Sequence, residues 1–157
     1  MTRATELLAR AAEAARTGMA DGRGGPFGAV VAQGDLIISV GTNRVVRDQD
    51  PTAHAEICAV RDACKTLNTH VLSGCDIYST CEPCPMCLSA IFWARIDRIY
   101  FAADRSDAAA AGFDDAAIYR EVSVDLAHRT IPVIRADSPE SVRLFDEWRA
   151  MTDKIRY

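Results

Sequence analysis

The 157-residue sequence contains no long run of uncharged residues. The longest such run, the twelve residues between Glu82 and Arg95, is too short for a membrane-spanning helix, which needs about 20 apolar residues. Charged side chains also recur every three or four positions from Arg3 to Arg16, so the N-terminal region has no apolar core of the kind that a signal peptide requires. We therefore expect no membrane span and no secretory leader, and we expect the chain to be cytoplasmic.

An excess of positive charge is absent as well. Lys and Arg number 18 against 22 Asp and Glu, which gives a net charge of −4 and a pI of about 5.3. A domain that holds nucleic acid normally needs a basic surface, so we expect no nucleic-acid partner. Hydrophobic residues at 49% and charged residues at 25% are typical of a globular protein, and about 150 residues commonly form one domain. The sequence thus predicts a single domain over residues 1–157.

Strand-like and helix-like patterns alternate along the chain. Apolar residues at helical spacing predict helices over residues 5–18 (ending at Gly18), 54–67, 85–94, 107–117 with a break at Gly112, and after Ser138-Pro139 with a stripe of Leu144, Trp148, Met151 and Ile155. Short β-rich runs predict strands over residues 28–32 and 36–40 (joined as a hairpin), 77–80, 99–102 and 131–134, with a polar loop over 41–53. This alternation is typical of a sheet covered by helices on both faces, a three-layer α/β/α sandwich.

The spacing of the cysteines points to a metal site. Six cysteines in a chain expected in the cytoplasm are more readily metal ligands, redox groups or buried apolar residues than disulfides. Cys84 and Cys87 are three residues apart, so both sulfurs lie on one face at the start of a helix, and Pro85 suits its first position. The helix N-terminus favours the thiolate form that binds metal. His54 can complete a set of three ligands, the number typical of a catalytic zinc that keeps one position open.

Glu56 follows His54 by two residues and supplies a carboxylate beside that open position. On a regular helix the two side chains would diverge, so we expect them to converge only at a helix start. Zinc lowers the pKa of a bound water to about 7, and the Glu56 carboxylate can then take its proton and pass it to a leaving ammonia. The order and spacing of these pieces match the signature of zinc deaminases, and the chemistry is that of an aminohydrolase.

Simpler interpretations apply to single parts of this pattern. A Cys-x-x-Cys pair alone can be a redox pair or half of a structural zinc site, and Cys81 is not expected to be a fourth ligand. Buried apolar positions are predicted for Cys58, Cys64, Phe92 and Trp93, and surface positions for His70 and His128.

With these pieces identified, the chain resembles the cytidine deaminase superfamily and, more narrowly, its bacterial guanine deaminases. The resemblance extends along nearly the whole chain. The stretches that carry it are Gly25-Pro26-Phe27-Gly28-Ala29-Val30, Asn43, Asp50-Pro51-Thr52-Ala53-His54-Ala55-Glu56, Cys81-Glu82-Pro83-Cys84-Pro85-Met86-Cys87 and Trp93-Ala94-Arg95. The part that narrows it is Ala111-Gly112-Phe113-Asp114-Asp115, followed by Ile118-Tyr119 and a chain ending at Tyr157.

The resemblance implies a cytidine deaminase-like fold with a central mixed sheet, and one Zn2+ per subunit. By the same resemblance, zinc is held by His54, Cys84 and Cys87, and protons are moved by Glu56 and by Asp115 near the leaving amino group. The purine is bound by Asn43, the backbone N–H of Ala55, the rings of Phe27 and Trp93, and Tyr157 closing the pocket. A homodimer that exchanges its C-terminal segment between subunits is also implied.

The function that follows is zinc-dependent hydrolytic deamination of guanine to xanthine and ammonia. In this hypothesis zinc-bound hydroxide attacks C2 and Glu56 is the proton shuttle. The alternatives are a deaminase of cytosine, guanosine or a triazine, a tRNA adenosine deaminase, and a zinc module without catalysis. The net charge of −4 disfavours tRNA, and Glu56 disfavours a structural zinc, which has no need of a carboxylate beside an open position.

Overall fold

The computed structural model describes residues 2–156. Its elements, in chain order, are α1 (Arg3–Ala20), β1 (Gly28–Gln33), β2 (Leu36–Thr42), α2 (Val45–Asp48), α3 (Ala55–Leu67), β3 (Asp76–Cys81), α4 (Pro85–Trp93), β4 (Arg98–Ala103), α5 (Arg105–Ala110), α6 (Ala116–Ser123) and α7 (Pro139–Ala150). A short 3₁₀ turn, Leu126–His128, lies between α6 and α7. Among the described residues, no helix has the length and apolar character that crossing a membrane requires.

The chain divides into two compact units, the first ending at Ala116 and the second beginning at Ala117. The first unit contains the four strands and helices α1 to α5. The second contains most of α6, the 3₁₀ turn and α7, and none of its described residues is buried. Within the described range, the second unit therefore has no hydrophobic core of its own.

The sheet of the first unit has the strand order β2-β1-β3-β4. β1 pairs antiparallel with both β2 and β3, and Val30 lies opposite Val40 on one side and Tyr78 on the other. β3 and β4 are parallel. Parallel neighbours need a crossover connection, and α4 supplies it. The sheet is therefore mixed, and the hairpin predicted for β1 and β2 is confirmed.

Alternate side chains of the sheet enter two separate cores. Val30 and Tyr78 pack with Leu7 of α1 on one face. Ile77 packs with Val60 of α3 on the other face, where α4 also contributes. Because helices cover both faces of the sheet, the first unit has the three-layer α/β/α sandwich architecture that the sequence predicts.

The first helix runs past the position where its end was predicted. Gly18 lies inside α1, where it packs against Thr42, and a Cβ at Gly18 would be 3.2 Å from the Thr42 Cβ. The helix ends at Ala20, shortly before Gly22, whose φ of +66° is the left-handed conformation typical of a helix end. The region predicted as a polar loop over 41–53 also contains the short helix α2.

The strand predicted over residues 131–134 is wrong, since these residues form no regular structure. A strand is stable only where a neighbouring strand satisfies its N–H and C=O groups, and Pro132 has no N–H to donate. The break predicted at Gly112 is confirmed by its φ of +92°, which separates α5 from α6.

The closing helix is confirmed, with a shorter extent than its apolar stripe indicated. The side chain of Ser138 accepts a hydrogen bond from the Ser141 N–H at 3.3 Å and so caps α7. The helix ends at Ala150, so Met151 and Ile155 of the predicted stripe lie beyond it.

Gly41 of β2 fixes how closely α3 packs on the sheet. A Cβ at this position would lie 2.2 Å from the Ala55 carbonyl oxygen and 2.6 Å from the Ala59 nitrogen, both backbone atoms of α3. We expect Gly41→Ala to lower the free energy of unfolding by about 3 kcal/mol, because the whole helix must move away. Urea unfolding followed by circular dichroism measures the change.

The control is Gly18→Ala, whose new methyl group has the side chain of Thr42 as its nearest neighbour. This substitution also gains helix propensity, so we expect it to stay within about 1 kcal/mol of the wild type. Equal stabilities for the two variants would contradict the close packing of α3 on Gly41.

Candidate active site

The three predicted metal ligands lie together in the first unit. His54, Cys84 and Cys87 each offer one ligand atom, and these atoms all lie within 4.8 Å of one another. The His54 Nδ1 is 3.6 Å from the Cys84 Sγ and 3.5 Å from the Cys87 Sγ. Cys87 is buried, whereas His54 and Cys84 are half-buried. The cluster is therefore only partly buried.

This donor set fits a zinc ion. Zinc binds a histidine nitrogen at about 2.0–2.1 Å and a cysteine sulfur at about 2.3 Å with tetrahedral angles, which places N and S about 3.5 Å apart. The two N···S distances in the cluster, 3.5 and 3.6 Å, match that separation. Three ligands of this kind leave the fourth tetrahedral position for water or substrate.

Two helix starts place the cluster. His54 is the N-cap of α3 and Cys84 is the N-cap of α4, and both have an extended backbone, with ψ of 157° and 167°. Pro85 begins α4, where its missing N–H costs nothing, and Cys87 lies in the same first turn. Both helices thus direct the positive ends of their dipoles at the cluster, which favours negatively charged ligands there.

Glu56 lies beside the cluster in the first turn of α3. Because His54 precedes the helix, the two side chains converge as predicted, and the Glu56 Oε2 and the His54 Nδ1 each lie 3.5 Å from the Cys87 Sγ. Glu56 is only 5% exposed, and the Ser79 hydroxyl donates a 2.9 Å hydrogen bond to its Oε1. Burial raises the pKa of Glu56, and hydrogen bonds with its own backbone and with Ser79 oppose this rise.

The cysteine sulfurs differ in their readiness to lose a proton. Hydrogen bonding with Cys87 lowers the pKa of the Cys84 thiol to about 4, and the same contact raises the pKa of Cys87. The hydrogen bond to Cys84 also raises the pKa of His54. Burial raises the pKa of Cys81 to about 11, and its thiol donates to the Asp104 carbonyl oxygen at 3.6 Å. Cys81 is therefore not placed as a fourth ligand.

Asn43 is buried with its amide held in one orientation. Its Oδ1 accepts hydrogen bonds from the backbone N–H groups of Gly25, at 3.3 Å, and Val45, at 3.2 Å. The neighbouring backbone approaches so closely that a Cβ at Gly24 would lie 2.1 Å from this oxygen. With Oδ1 committed to two donors, the Nδ2 of Asn43 is the group that can donate to a ligand.

Asp115 and Phe27 both belong to loops, and Asp115 is close enough to Cys84 to be affected by its negative charge. Asp115 is half-buried, and burial followed by the negative charge of Cys84 raises its pKa. Phe27 is half-buried and packs edge-on against Phe113, with ring centroids 4.9 Å apart. Both rings line a cavity of about 120 Å³. The segment 111–115, which makes the chain resemble guanine deaminases in particular, therefore contacts the loop that contains Phe27.

The remaining predicted site residues are less directly connected to the cluster. Ala55 begins α3, so its N–H has no partner within the helix and is left to a capping group or a ligand. Trp93 ends α4, about 9 Å along the helix axis from Cys87 at about 1.5 Å per residue. Tyr157 lies outside the described residues.

Phe92 and Trp93 are 75% and 69% exposed, so the prediction that they belong to the core is wrong. The buried face of α4 is formed by Cys87 and Ile91 instead. All six cysteines are free, with Cys58 buried and Cys64 half-buried, and both His70 and His128 are exposed.

Comparison with known proteins places this site in a family. The model of the family described as "Cytidine and deoxycytidylate deaminase zinc-binding region" matches residues 1–103. Guanine deaminase of Bacillus subtilis (strain 168) is 47% identical over 151 residues, which are 96% of this chain and 97% of that protein. The X-ray structure of guanine deaminase from Bacillus subtilis superposes with a TM-score of 0.96 and 45% identity, covering 100% of this chain and 99% of that one. The chain belongs to the guanine deaminase family. It therefore has a zinc-binding deaminase domain, and the predicted resemblance is confirmed.

Two further relatives match a smaller part of the chain. Guanine deaminase from Nitrosomonas europaea superposes with a TM-score of 0.67 and 38% identity, covering 69% of this chain and 63% of that one. The tRNA-specific adenosine deaminase of Aquifex aeolicus (strain VF5) is 46% identical over 78 residues, or 50% of this chain and 52% of that protein. The match to guanine deaminases thus extends further along the chain than the match to this tRNA deaminase.

Two side chains of the site were not predicted from the sequence. Ser79 shares a strand face with Ile77 and Cys81, so a hydroxyl among apolar neighbours is the feature of the sequence that could have indicated a site residue here. Phe113 lies in the segment that carried the resemblance, but its contact with Phe27 joins residues far apart in the chain. Hydrophobic periodicity and motif spacing do not predict contacts between residues that are far apart in the chain.

Proposed function

We propose that this protein hydrolyses guanine to xanthine and ammonia. The observation that carries the proposal is the cluster of His54, Cys84 and Cys87 with the buried carboxylate of Glu56 beside it. This arrangement lies in a chain that is 47% identical to the Bacillus subtilis guanine deaminase over 96% of its length. Three ligands with an open position suit catalysis rather than a closed structural site.

In this proposal His54, Cys84 and Cys87 hold one zinc ion. Bound there, zinc acts as a Lewis acid that lowers the pKa of water to near neutrality and so supplies a nucleophile for C2 of the base. Glu56 accepts a proton from the attacking water at Oε2, the oxygen that faces Cys87. It then donates that proton to a ring nitrogen. Glu56 next takes the remaining proton from the attacking oxygen, Glu56 or Asp115 donates a proton to the amino group, and the C2–N bond breaks to release ammonia as the C2–O bond becomes a carbonyl.

We assign recognition of the base to two hydrogen-bond donors and to aromatic side chains. In this proposal the Nδ2 of Asn43 donates a hydrogen bond to an acceptor on the purine, because its Oδ1 already accepts from Gly25 and Val45. The N–H of Ala55 is a second donor at the start of α3. Phe27 packs on the ring, and Trp93 and Tyr157 remain residues expected to close over it.

Ammonia release from guanine, guanosine, cytosine, cytidine, adenine and a triazine tests the substrate, with zinc quantified in the same sample. We expect one zinc per chain and activity on guanine alone. Turnover of another member in place of guanine would keep the zinc chemistry and reject guanine as the substrate, whereas turnover of both would reject only the expected exclusivity. Full zinc without ammonia from any member would reject the proposal and favour a tRNA substrate or a structural metal.

The buried amide of Asn43 allows a test of substrate binding by substitution. We expect Asn43→Asp to raise KM about 10- to 100-fold, because the new carboxylate keeps the hydrogen bonds from Gly25 and Val45 but has no N–H to donate. Steady-state kinetics measure it. Asn68→Asp adds the same charge at an exposed helix end and should leave KM unchanged. A normal KM in Asn43→Asp would remove Asn43 from the binding site.

A homodimer that exchanges its C-terminal segment is part of the proposal. Phe92 of α4, at 75% exposed, leaves apolar surface on the first unit, and Phe145 of α7, at 68%, leaves it on the second. None of the second unit's residues up to residue 156 is buried, so a second copy of the chain is the partner that can cover such surface. Sedimentation equilibrium should give twice the 17.1 kDa chain mass, whereas a single chain mass at micromolar concentration would reject the dimer.

The cytoplasm is the proposed compartment, because six free cysteines and a thiolate cluster are maintained in a reducing environment. Guanine-deaminating activity in the cytosolic fraction of disrupted cells is expected. Recovery of the activity in a membrane or extracellular fraction would reject this assignment.

A further inference from the structure

Ser79 is a hydroxyl placed in the middle of the sheet. It is 0% exposed, and its backbone lies in both ladders of β3, opposite Ala29 of β1 and Phe101 of β4. Its neighbours on the same strand face, Ile77 and Cys81, are apolar. A buried hydroxyl lowers stability unless it forms a hydrogen bond, so the partner of Ser79 indicates its purpose.

That partner is the carboxylate of Glu56. The Ser79 hydroxyl donates to Oε1 at 2.9 Å, while Oε2 lies 3.5 Å from the Cys87 Sγ. The two oxygens therefore have different surroundings. One is held by the sheet and the other faces the ligand cluster.

We infer that Ser79 is a positioning residue that anchors the Glu56 Oε1 and so keeps Oε2 directed at the reacting water and the leaving amino group. The inference rests on the proposed function, in which Glu56 moves protons. Ser79 itself touches neither the cluster nor the base in this assignment. Its effect reaches the reaction through Glu56 alone.

Orientation matters here because a glutamate side chain has three rotatable torsions. Without an anchor the carboxylate samples several staggered conformers, and only some of them direct an oxygen at the reacting atoms. A displacement of about 1 Å at a reacting group can reduce the rate about 100-fold. Ser79 belongs to a strand paired on both sides, so it is a rigid point of attachment.

The first test is Ser79→Ala, which removes the hydroxyl with little change of volume. We expect kcat to fall about 10- to 100-fold, with KM within about twofold of the wild type and zinc content unchanged. Ile77→Val, a buried change on the same strand face, controls for loss of packing and should lower the melting temperature without lowering kcat. A kcat for Ser79→Ala within about twofold of the wild type would overturn the inference.

A double-mutant cycle separates positioning from general damage to the site. In a Glu56→Ala background, Ser79 has no carboxylate to hold, so Ser79→Ala should change the residual kcat by less than about twofold. An equal fall in both backgrounds would show that Ser79 acts by some other route. That result would also overturn the inference.

Crystal structures of the zinc-loaded wild type and of Ser79→Ala test the positioning of Glu56 without any measurement of activity. We expect a single Glu56 conformer on Ser79 in the wild type and several conformers in the variant. An unchanged, single Glu56 conformer in Ser79→Ala would overturn the positioning role even if the wild type proved inactive on every base. Inactivity of the wild type on the whole panel would instead reject the proposed function.

Discussion

Glu56→Gln should retain one zinc per chain and lose about 10²- to 10⁴-fold in kcat, the range that general acid–base catalysis contributes. Glutamine has nearly the same size, and its amide oxygen can still accept the hydrogen bond from Ser79, so the fold and the cluster are preserved. The amide cannot take up a proton from water near neutral pH, so the step assigned to Glu56 is lost. Steady-state ammonia release and elemental analysis on the same sample measure both quantities.

Glu13→Gln is the matched control for Glu56→Gln. Glu13 is exposed on α1, where its carboxylate pairs with Arg10 at 2.6 Å, and an exposed pair of this kind contributes little to stability. We expect wild-type kcat and zinc content in this variant. Near-normal kcat in Glu56→Gln would show that Glu56 does not transfer the proton. Loss of zinc from this variant would instead show that Glu56 is itself a metal ligand.

Cys84→Ala should weaken zinc binding by more than about 100-fold and abolish measurable turnover. Loss of a residue that merely supports a metal ligand already weakens binding about 10- to 100-fold, and here the ligand itself is removed. The two remaining ligands, His54 and Cys87, leave two coordination positions without a protein donor. Zinc per chain after dialysis against a weak chelator measures the effect.

Cys81→Ala provides the comparison, since it removes a nearby buried thiol whose pKa is raised by burial and whose donor contact is to Asp104. We expect it to keep full zinc. One firmly held zinc in Cys84→Ala, or its loss from Cys81→Ala, would show that the ligand set is assigned wrongly. Thermal unfolding with and without zinc then shows how far metal binding stabilises the fold.

The pieces of the site that are local in sequence could be predicted from it. Cys84 and Cys87 are three residues apart at a helix start marked by Pro85, and Glu56 is two residues from His54. Each spacing constrains side-chain direction through helix geometry. The alternation of strand-like and helix-like patterns likewise predicts the layered fold, and the structure has these strands and helices.

Features that depend on distant partners could not be predicted in this way. The orientation of Asn43 is set by the backbone of Gly25, 18 residues away, and that of Glu56 by Ser79, 23 residues away. Residues 131–134 have the apolar character of a strand, yet pairing with a neighbour decides whether a strand forms. The exposure of Phe92 on α4 follows from which helix face meets the sheet, which composition does not encode.

The region that matches the family's zinc-binding model occupies the first two thirds of the chain, and this matters for attempts to change the enzyme's substrate. His54, Glu56, Cys84 and Cys87 all precede residue 104, within the 103 residues that match this region, while Asp115 and the whole second unit follow it. A mutant library confined to the chain after β4, with Asp115 kept unchanged because of its proposed part in proton transfer, therefore leaves the three metal ligands and both proton-moving carboxylates constant. Selection from such a library for ammonia release from other amino-bearing heterocycles would show whether this later part of the chain affects which substrate is accepted.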